Sequence, residues 1–361
     1  MKYRTDARAE VATPFWVISA QNDLVDEDWH DGKKLRAERK WQEYVQAKRL
    51  ELACGEAPYL TSRYDALLKR EIPLEQRVGI FDRKLQVVDE NVADVEWEKW
   101  AFRALEAVFG VEIKVDKVAR ARENLVKTFV EYYQLRFAEE PSDEMIERAQ
   151  KVVEENVIVL DVLEEDQNVV FKQEFEAIVG NPPYHNIGGA GGSNDAPIYQ
   201  EFVYKMLELK PSYLSLVIPA RWFAGGRENL LGKFRKVMAR EAGLKELVVY
   251  TEAKEVFPWV NLSGGICYFL AKRGYDGECY YVLHEKGKTE QKQRELGKET
   301  VLVREPILAG IVQKGEQVIE ERKLGRVEEL ILGNTPFGIS SDLYAHGRQV
   351  PLFMSKIYCA G

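Results

Sequence analysis

The stretch Gly180-Asn181-Pro182-Pro183-Tyr184 follows Phe175-Glu176-Ala177-Ile178-Val179, a short apolar run that reads as a buried strand. Two consecutive prolines cannot continue a sheet ladder, because each lacks an N–H and has a fixed φ. The strand is therefore expected to stop at Asn181. Beyond it comes a rigid turn that holds an amide, two carbonyls without competing donors, and an aromatic ring.

Working outward, other apolar runs repeat the pattern of a strand with a chemically useful end. Leu50-Glu51-Leu52-Ala53-Cys54 reads as a strand and leads into Gly55-Glu56-Ala57-Pro58-Tyr59-Leu60. Small residues after a strand let a ligand approach the backbone, and a helix N-terminus beyond them favours polar or anionic groups. Val108-Phe109-Gly110-Val111-Glu112-Ile113 is a strand ending near an acid, followed by a helix over Val118 to Leu125. A carboxylate at such a strand tip is placed to accept hydrogen bonds from two ribose hydroxyls. Asn156-Val157-Ile158-Val159-Leu160 is a further strand and ends at Asp161.

Downstream, Leu214 to Ile218, Leu247 to Tyr250 and Gly265 to Leu270 read as strands, and Phe257-Pro258-Trp259-Val260 as an aromatic turn. Helical spacing appears at Trp41, Tyr44 and Val45, around Glu98 to Ala104, across 126 to 155, and at Phe202, Val203, Met206, Leu207 and Leu209. Residues 61 to 107 are long for one connection. Within them Arg77-Val78-Gly79-Ile80-Phe81-Asp82 is expected as a small extra strand. The glycine-rich Ile187 to Asn194 is expected as a flexible loop, free to order on a partner. From about residue 275 onward the chain is polar and less periodic.

Strands alternating with helices predict an α/β fold with a doubly wound, mostly parallel sheet. In such sheets ligands bind outside the carboxyl ends of the strands. Cys54 and Gly55, Glu112, Asp161 and Asn181 all share that address. Asp82, at the end of the expected extra strand, competes with Glu112 as the ribose acid.

Composition bounds the remaining classes. The 361 residues are 45% apolar, enough for a sizeable core. No window approaches the run of about 18 apolar residues that a membrane span needs. The N-terminal Met1 to Asp6 has no apolar signal core, and the four scattered cysteines form no C-x-x-C pair. A cytoplasmic protein without a zinc site, a disulfide framework or a membrane partner is expected. The net charge of −8 is unlike the basic footprint of a DNA-binding surface. Basic residues do gather locally, at Arg221, Arg227, Lys233, Arg235, Lys236 and Arg240.

Together these motifs resemble the adenine-specific DNA amino-methyltransferases of bacterial restriction-modification systems, in the subgroup whose cofactor motifs precede the catalytic Asn-Pro-Pro-Tyr. Thr13-Pro14-Phe15-Trp16-Val17 resembles that group's N-terminal motif. Ala53-Cys54-Gly55-Glu56-Ala57-Pro58-Tyr59-Leu60 resembles its first motif, with Glu-Ala-Pro where a second glycine is commoner. Gly110-Val111-Glu112-Ile113 and Leu160-Asp161-Val162-Leu163 are similar to the second and third. Ile198 to Pro211, Val217 to Trp222, and Phe257-Pro258 with the Gly264-Gly265 strand complete the series in family order.

The resemblance implies a seven-stranded class I, Rossmann-like methyltransferase fold over residues 1–325, with 326–361 beginning a truncated target-recognition domain at Pro336 to Ile339 and Tyr344. It implies S-adenosyl-L-methionine as cofactor, held by Thr13, Pro14, Ala53, Cys54, Gly55, Glu56, Pro58, Glu112, Asp161 and Asn181. Asn181, Pro182, Pro183 and Tyr184 would be catalytic, and Tyr184 and Phe257 would flank a flipped adenine. The implied partners are double-stranded DNA and a restriction nuclease domain or subunit. Asn-Pro-Pro-Tyr also occurs in enzymes that methylate a protein glutamine or an RNA guanine. A protein-glutamine methyltransferase is therefore one alternative. A non-catalytic module that binds DNA or the cofactor is another.

Overall fold

Strand β1 (Arg49–Leu52) runs between two parallel neighbours, β4 (Val108–Glu112) and β6 (Ala177–Gly180). In the computed structural model, residues 12–30, 41–164, 173–185, 197–223, 231–258, 262, 264–298 and 302–324 are described. Among them one sheet has nine strands. β5 (Val157–Val159) lies beside β4 at one edge. Beyond β6 come β7 (Tyr213–Pro219), antiparallel β9 (Ile266–Lys272), and then β8 (Leu244–Tyr250). β10 (Cys279–Glu285), parallel to β8, and β11 (Lys288–Arg294) finish the other edge as a hairpin. A separate ribbon pairs β2 (Tyr64–Asp65) with β3 (Arg70–Glu71).

The doubly wound, mostly parallel sheet expected from the motifs is present, with nine strands where seven were expected because β10 and β11 extend it. That hairpin was not legible because six of the seven residues of β11 are exposed and polar, so no apolar alternation marks the strand.

Chain order gives the sheet its switch point. From β1 the chain moves outward to β4 and β5, then returns to β6 on the other side of β1. The crevice at the carboxyl ends of β1 and β6 is where an open α/β sheet places its ligand. Registers make the neighbours explicit: Leu52 lies opposite Val111 on one side and Gly180 on the other. The backbones are close at this point. A Cβ added to Gly180 would sit 2.4 Å from the Leu52 carbonyl oxygen, so only glycine fits.

Both faces of the sheet are covered, as the continuous burial of β7 shows. Leu214, Leu216 and Ile218 enter the core shared with helix α7 (Tyr199–Glu208) and Phe234. Val217 enters a smaller core with Val17, Phe257 and Tyr268. A third core gathers around helices α3 (Ile80–Asn91), α4 (Asp94–Glu106), α5 (Val115–Phe137) and α6 (Asp143–Asn156).

Helix α1 (Phe15–Trp29) starts at Pro14, whose missing N–H costs nothing at a helix start. Its 15 residues span about 22 Å, close to the length of a seven-residue strand. At the far end Asp26 pairs with fully buried Arg49 at 2.6 Å and with Arg83 at 2.8 Å. Asp28 pairs with Lys272 at 2.9 Å and with Lys245. Helix α2 (Trp41–Gln46) is tied in through buried Lys84, whose ammonium donates to the carbonyls of Val45 and Ala47.

No strand forms over the expected Arg77 to Asp82: Arg77 to Gly79 lead into α3, and Ile80 to Asp82 are its first turn. Asp82 lies in its first turn, fully buried, and accepts from the Ser62 N–H at 3.0 Å. The segment was misread because a short apolar run suits a strand and a helix start equally.

Two compact units divide the chain, Met1–Pro306 and Ile307–Gly361. Helix Pro306–Arg322 accounts for most of the described part of the second. Residues 326–361, the glycine-rich loop and Arg227 lie outside the described residues. Among those described, no helix is long and apolar enough to cross a membrane.

Candidate active site

The turn after β1 is shaped by backbone strain. Ala53, Gly55 and Ala57 have φ of 51°, 53° and 66°, conformations that non-glycine residues seldom adopt. The Cys54 N–H donates to the Val111 carbonyl at 2.9 Å, and the Ala57 N–H donates to the Cys54 carbonyl at 2.7 Å. The Cys54 side chain is buried against Gly110, where an added Cβ would meet its sulfur at 3.0 Å. Burial, then the nearby Glu51 and Glu112 carboxyls, push the Cys54 thiol well above its ordinary range. It is a packing group rather than a nucleophile.

Glu112 closes this turn from β4. One carboxylate oxygen accepts from the Gly55 N–H at 3.0 Å, and the other from the N–H groups of Ile113 and Lys114 at 2.9 and 3.1 Å. A carboxylate offers about four acceptor positions, so this geometry retains capacity for a hydroxyl. Asp161, beyond β5, folds its own turn by accepting from the Leu163 N–H at 3.1 Å. The Glu56 carboxyl pairs with Lys117 at 2.8 Å and Arg120 at 2.9 Å. Partial burial works to raise it, but these two cations hold it below the usual carboxylate range. Pro58, half-buried, ends the turn on the way to Tyr59.

Asp82 is remote from this arrangement. It holds the Ser62 backbone, and burial raises its carboxyl to about 7 despite that hydrogen bond and the neighbouring Arg77 and Arg63. Of the two acids it is Glu112 that stands at the Gly55 turn, while Asp82 holds the backbone at Ser62.

On the other side of β1 stands the Asn181 turn. Asn181 Nδ2 donates to Thr13 Oγ1 at 3.1 Å, which brings the Thr-Pro segment to the Asn-Pro-Pro-Tyr turn across 168 residues of sequence. The Tyr184 carbonyl accepts from the Ile198 N–H at 3.1 Å, so the turn is also fastened to the start of α7. The Tyr184 ring is half-buried beside the core that holds Val17 and Phe257. Burial drives its phenol well above the ordinary range, against a hydrogen bond from the Asn181 side chain.

Phe257 departs from expectation. It is fully buried, in the same core as Val17, Ile266 and Tyr268. The structure gives it a packing role and does not present its ring to a ligand. An aromatic residue in a turn reads the same in sequence whether it points in or out.

Two groups on this face escaped the sequence reading. Glu51 alternates with Leu50 and Leu52, so its side chain lies beneath the Gly55 turn. There it accepts from the Leu60 N–H at 3.0 Å, and burial raises its carboxyl well above the usual range. Gln21 on α1 is fully buried and bonds Tyr59 and Ser215. An acid inside an apolar strand and an amide on a buried helix face are the available signals, and neither names a partner. Among the described residues no three His, Cys, Asp or Glu side chains converge to hold a metal.

Residues 106–257 match the Eco57I restriction-modification methylase family. The matched segment contains Glu112, Asp161 and the whole Asn181 to Tyr184 turn. The chain is also 29% identical over 153 residues to an adenine-specific methylase of Mycoplasma pneumoniae, covering 42% of this chain and 35% of that protein. The DNA-bound structure of the ATP-dependent Type ISP restriction-modification enzyme LlaBIII is similar in fold, with a TM-score of 0.50 and 13% identity. The alignment covers 78% of this chain and 20% of that one. A type I restriction-modification methyltransferase subunit from Streptococcus thermophilus aligns over 87% of this chain and 53% of its own, with 15% identity and a TM-score of 0.42. The chain thus spans about a third of the length of the curated relative it matches.

Proposed function

We propose that this chain transfers a methyl group from S-adenosyl-L-methionine to the exocyclic amino nitrogen of a flipped adenine in double-stranded DNA. It would act in the cytoplasm, as the modification part of a restriction-modification system with a nuclease domain or subunit. The observation that carries this reading is the register across β1, which sets the Asn181 turn beside the Gly55 and Glu112 turn.

The residues present suit that cofactor. The strained turn at Ala53 to Ala57 allows close approach to the backbone. Glu112 would accept from the ribose hydroxyls, Asp161 from the adenine amino group, and Thr13 and Pro14 would lie at the methionine end. When bound, the cofactor supplies an electrophilic methyl group.

The protein's own task is to make an aromatic amine nucleophilic. Its lone pair is delocalised into the ring, so the amine is weak until its two hydrogens are held. Asn181 Oδ1 and the Pro182 carbonyl would accept them and direct the lone pair toward the methyl group, and on gaining that group the nitrogen would lose one of the two hydrogens as a proton to solvent. Such positioning and directed hydrogen bonding supply most of the effect, without a strong base. Pro183 keeps the turn rigid. Extruding the base costs a few kcal/mol, and stacking on Tyr184 returns roughly 1–3 kcal/mol.

The test is incubation of the chain with methyl-labelled S-adenosylmethionine and mixed-sequence duplex DNA, followed by digestion to nucleosides. Label in N6-methyl-2′-deoxyadenosine is the expected result. Label confined to protein would establish the glutamine reading, and cofactor binding without transfer the non-catalytic one.

A further inference from the structure

After β11 the first unit closes with a short strap, Leu302 to Pro306, which is pinned along its length. Leu302 is buried in the core shared with α7. Arg294 Nη2 donates to the Val303 carbonyl at 2.7 Å, and Nη1 to the Arg304 carbonyl at 3.4 Å. Arg294 is the one buried residue of β11, and its guanidinium lies 4.5 Å from the centre of the Tyr281 ring. An otherwise exposed strand thus carries the group that fixes the strap.

From this strap Arg304 reaches the carboxyl end of β7. Its Nη2 donates to the Ala220 carbonyl at 2.9 Å and to the Gly264 carbonyl at 2.6 Å. That nitrogen carries two hydrogens, so each carbonyl has a donor of its own. Ala220 opens the turn after β7, and Gly264 stands just before β9. A third bond joins the same two turns, from the Ala220 N–H to the Gly265 carbonyl at 3.0 Å. Only glycine suits the second turn. Gly264 and Gly265 have φ of 94° and 77°. An added Cβ would sit 2.6 Å from Arg221 Cγ at Gly264, and 2.2 Å from the Tyr250 carbonyl oxygen at Gly265.

These turns belong to the side of the sheet that carries Asn181. β7 pairs Leu216 with Gly180, the residue before Asn181. Ile266, next to Gly265, joins Val217 and Phe257 in the small core against which the Tyr184 ring packs. The Gly55 turn follows β1, two strands away from β7. We infer that Arg304 is a positioning residue for the target base. It locks the turn after β7 to the glycine turn before β9, and through Ile266 it fixes the wall behind Tyr184. This deepens the proposed amino-methyl transfer and rests on it for the consequence on rate; the clamp itself is a property of the chain.

Arg304→Ala removes both donors and leaves the backbone bond between the turns in place. Amide hydrogen exchange tests the clamp without turnover. Exchange should quicken by roughly 10- to 100-fold at the Ala220 N–H, the worth of hydrogen bonds to a charged group. It should also quicken at the Ile198 N–H, which bonds the Tyr184 carbonyl. The Gly55 and Leu60 N–H groups of the cofactor turn should exchange as in the parent. In the transfer assay, kcat/KM for mixed-sequence duplex DNA should fall about 10- to 100-fold, as a remote misplacement of about 1 Å can cause. The Kd for S-adenosylmethionine should stay within about twofold. Arg304→Lys keeps hydrogens enough for both carbonyls on a shorter stem, and should recover most of the loss. Unchanged exchange at Ala220 and Ile198, or an unchanged kcat/KM for DNA, would overturn the inference. Equal losses of cofactor affinity and of transfer would also overturn it, because they would mark a general loss of structure. A parent chain that transfers no methyl group counts against the proposed function instead, and the exchange pattern then decides the clamp alone.

Discussion

Glu112 and Asn181 flank β1 on opposite sides, one at the end of β4 and one just past β6, yet they are held by different kinds of partner. Glu112 is fixed by three backbone N–H groups, all from Gly55 and from residues directly after it. Asn181 is held by a side chain, and that partner, Thr13, comes from the far N-terminal segment. Backbone donors are present whatever the sequence, so the Glu112 side tolerates change around it. Side-chain donors are specific, so the Asn181 side depends on Thr13, from a distant segment.

The sharpest way to break this contrast is Asn181→Ala. Removing a directed transition-state partner costs about 100- to 1,000-fold in rate, and methyl transfer should fall by at least that much. Calorimetric binding of S-adenosylmethionine should persist. Near-normal transfer would remove Asn181 from the chemistry and reduce the turn to a structural feature.

A large effect on stability is expected at the other end of α1. Asp26→Ala leaves the buried Arg49 guanidinium without its 2.6 Å partner. Breaking one side of a buried pair costs about 3–5 kcal/mol, to be read from urea denaturation. A loss under about 1 kcal/mol would mean that the Tyr44 ring suffices to hold Arg49 and that α1 is anchored elsewhere.

Smaller effects separate the two acids. Glu112→Ala should weaken S-adenosylmethionine binding by roughly 10- to 100-fold, the worth of hydrogen bonds to a charged group. Asp82→Asn should leave that affinity unchanged. The reverse pattern would return the ribose role to Asp82.

Asp82 should show itself in pH dependence instead. Its folded carboxyl lies at about 7 against an ordinary 3.8, so the folded state holds a proton that the unfolded state has released. Stability from this group is present below pH 4 and is lost as pH rises toward 7. The stability of Asp82→Asn relative to the parent should therefore rise between pH 5 and pH 7.5 in thermal melts. Asp26 has the opposite sign. Burial works to raise its carboxyl, but Arg49 and Arg83 hold it below 3.8, so its contribution is lost only on strong acidification.

Legibility divides along the same line. β6, β7 and β9 were readable because a strand buried on both faces is a nearly continuous apolar run, and β1, β4, β5 and β8 because short apolar runs mark them even where a charged or exposed residue intervenes. Glu112, Asp161 and Asn181 were readable because each ends such a run. Asp82 was misplaced because Ile80-Phe81 is too short to distinguish a strand from the first turn of a helix. β11 was missed because it carries no apolar alternation.

By itself, the sequence determined the alternation of strands and helices and which residues stand at the carboxyl ends of the strands. Local hydrophobic period and two adjacent prolines suffice for that, since both act within a few residues. Only the tertiary structure decided that Phe257 is packed away, that Asp82 is buried in the first turn of a helix against the Ser62 backbone, and that the Thr13 hydroxyl meets the Asn181 amide. Those outcomes depend on which buried polar groups find partners across the sheet. A buried donor must be satisfied somewhere, but the chain does not state where until the fold brings residues 168 positions apart to within 3.1 Å.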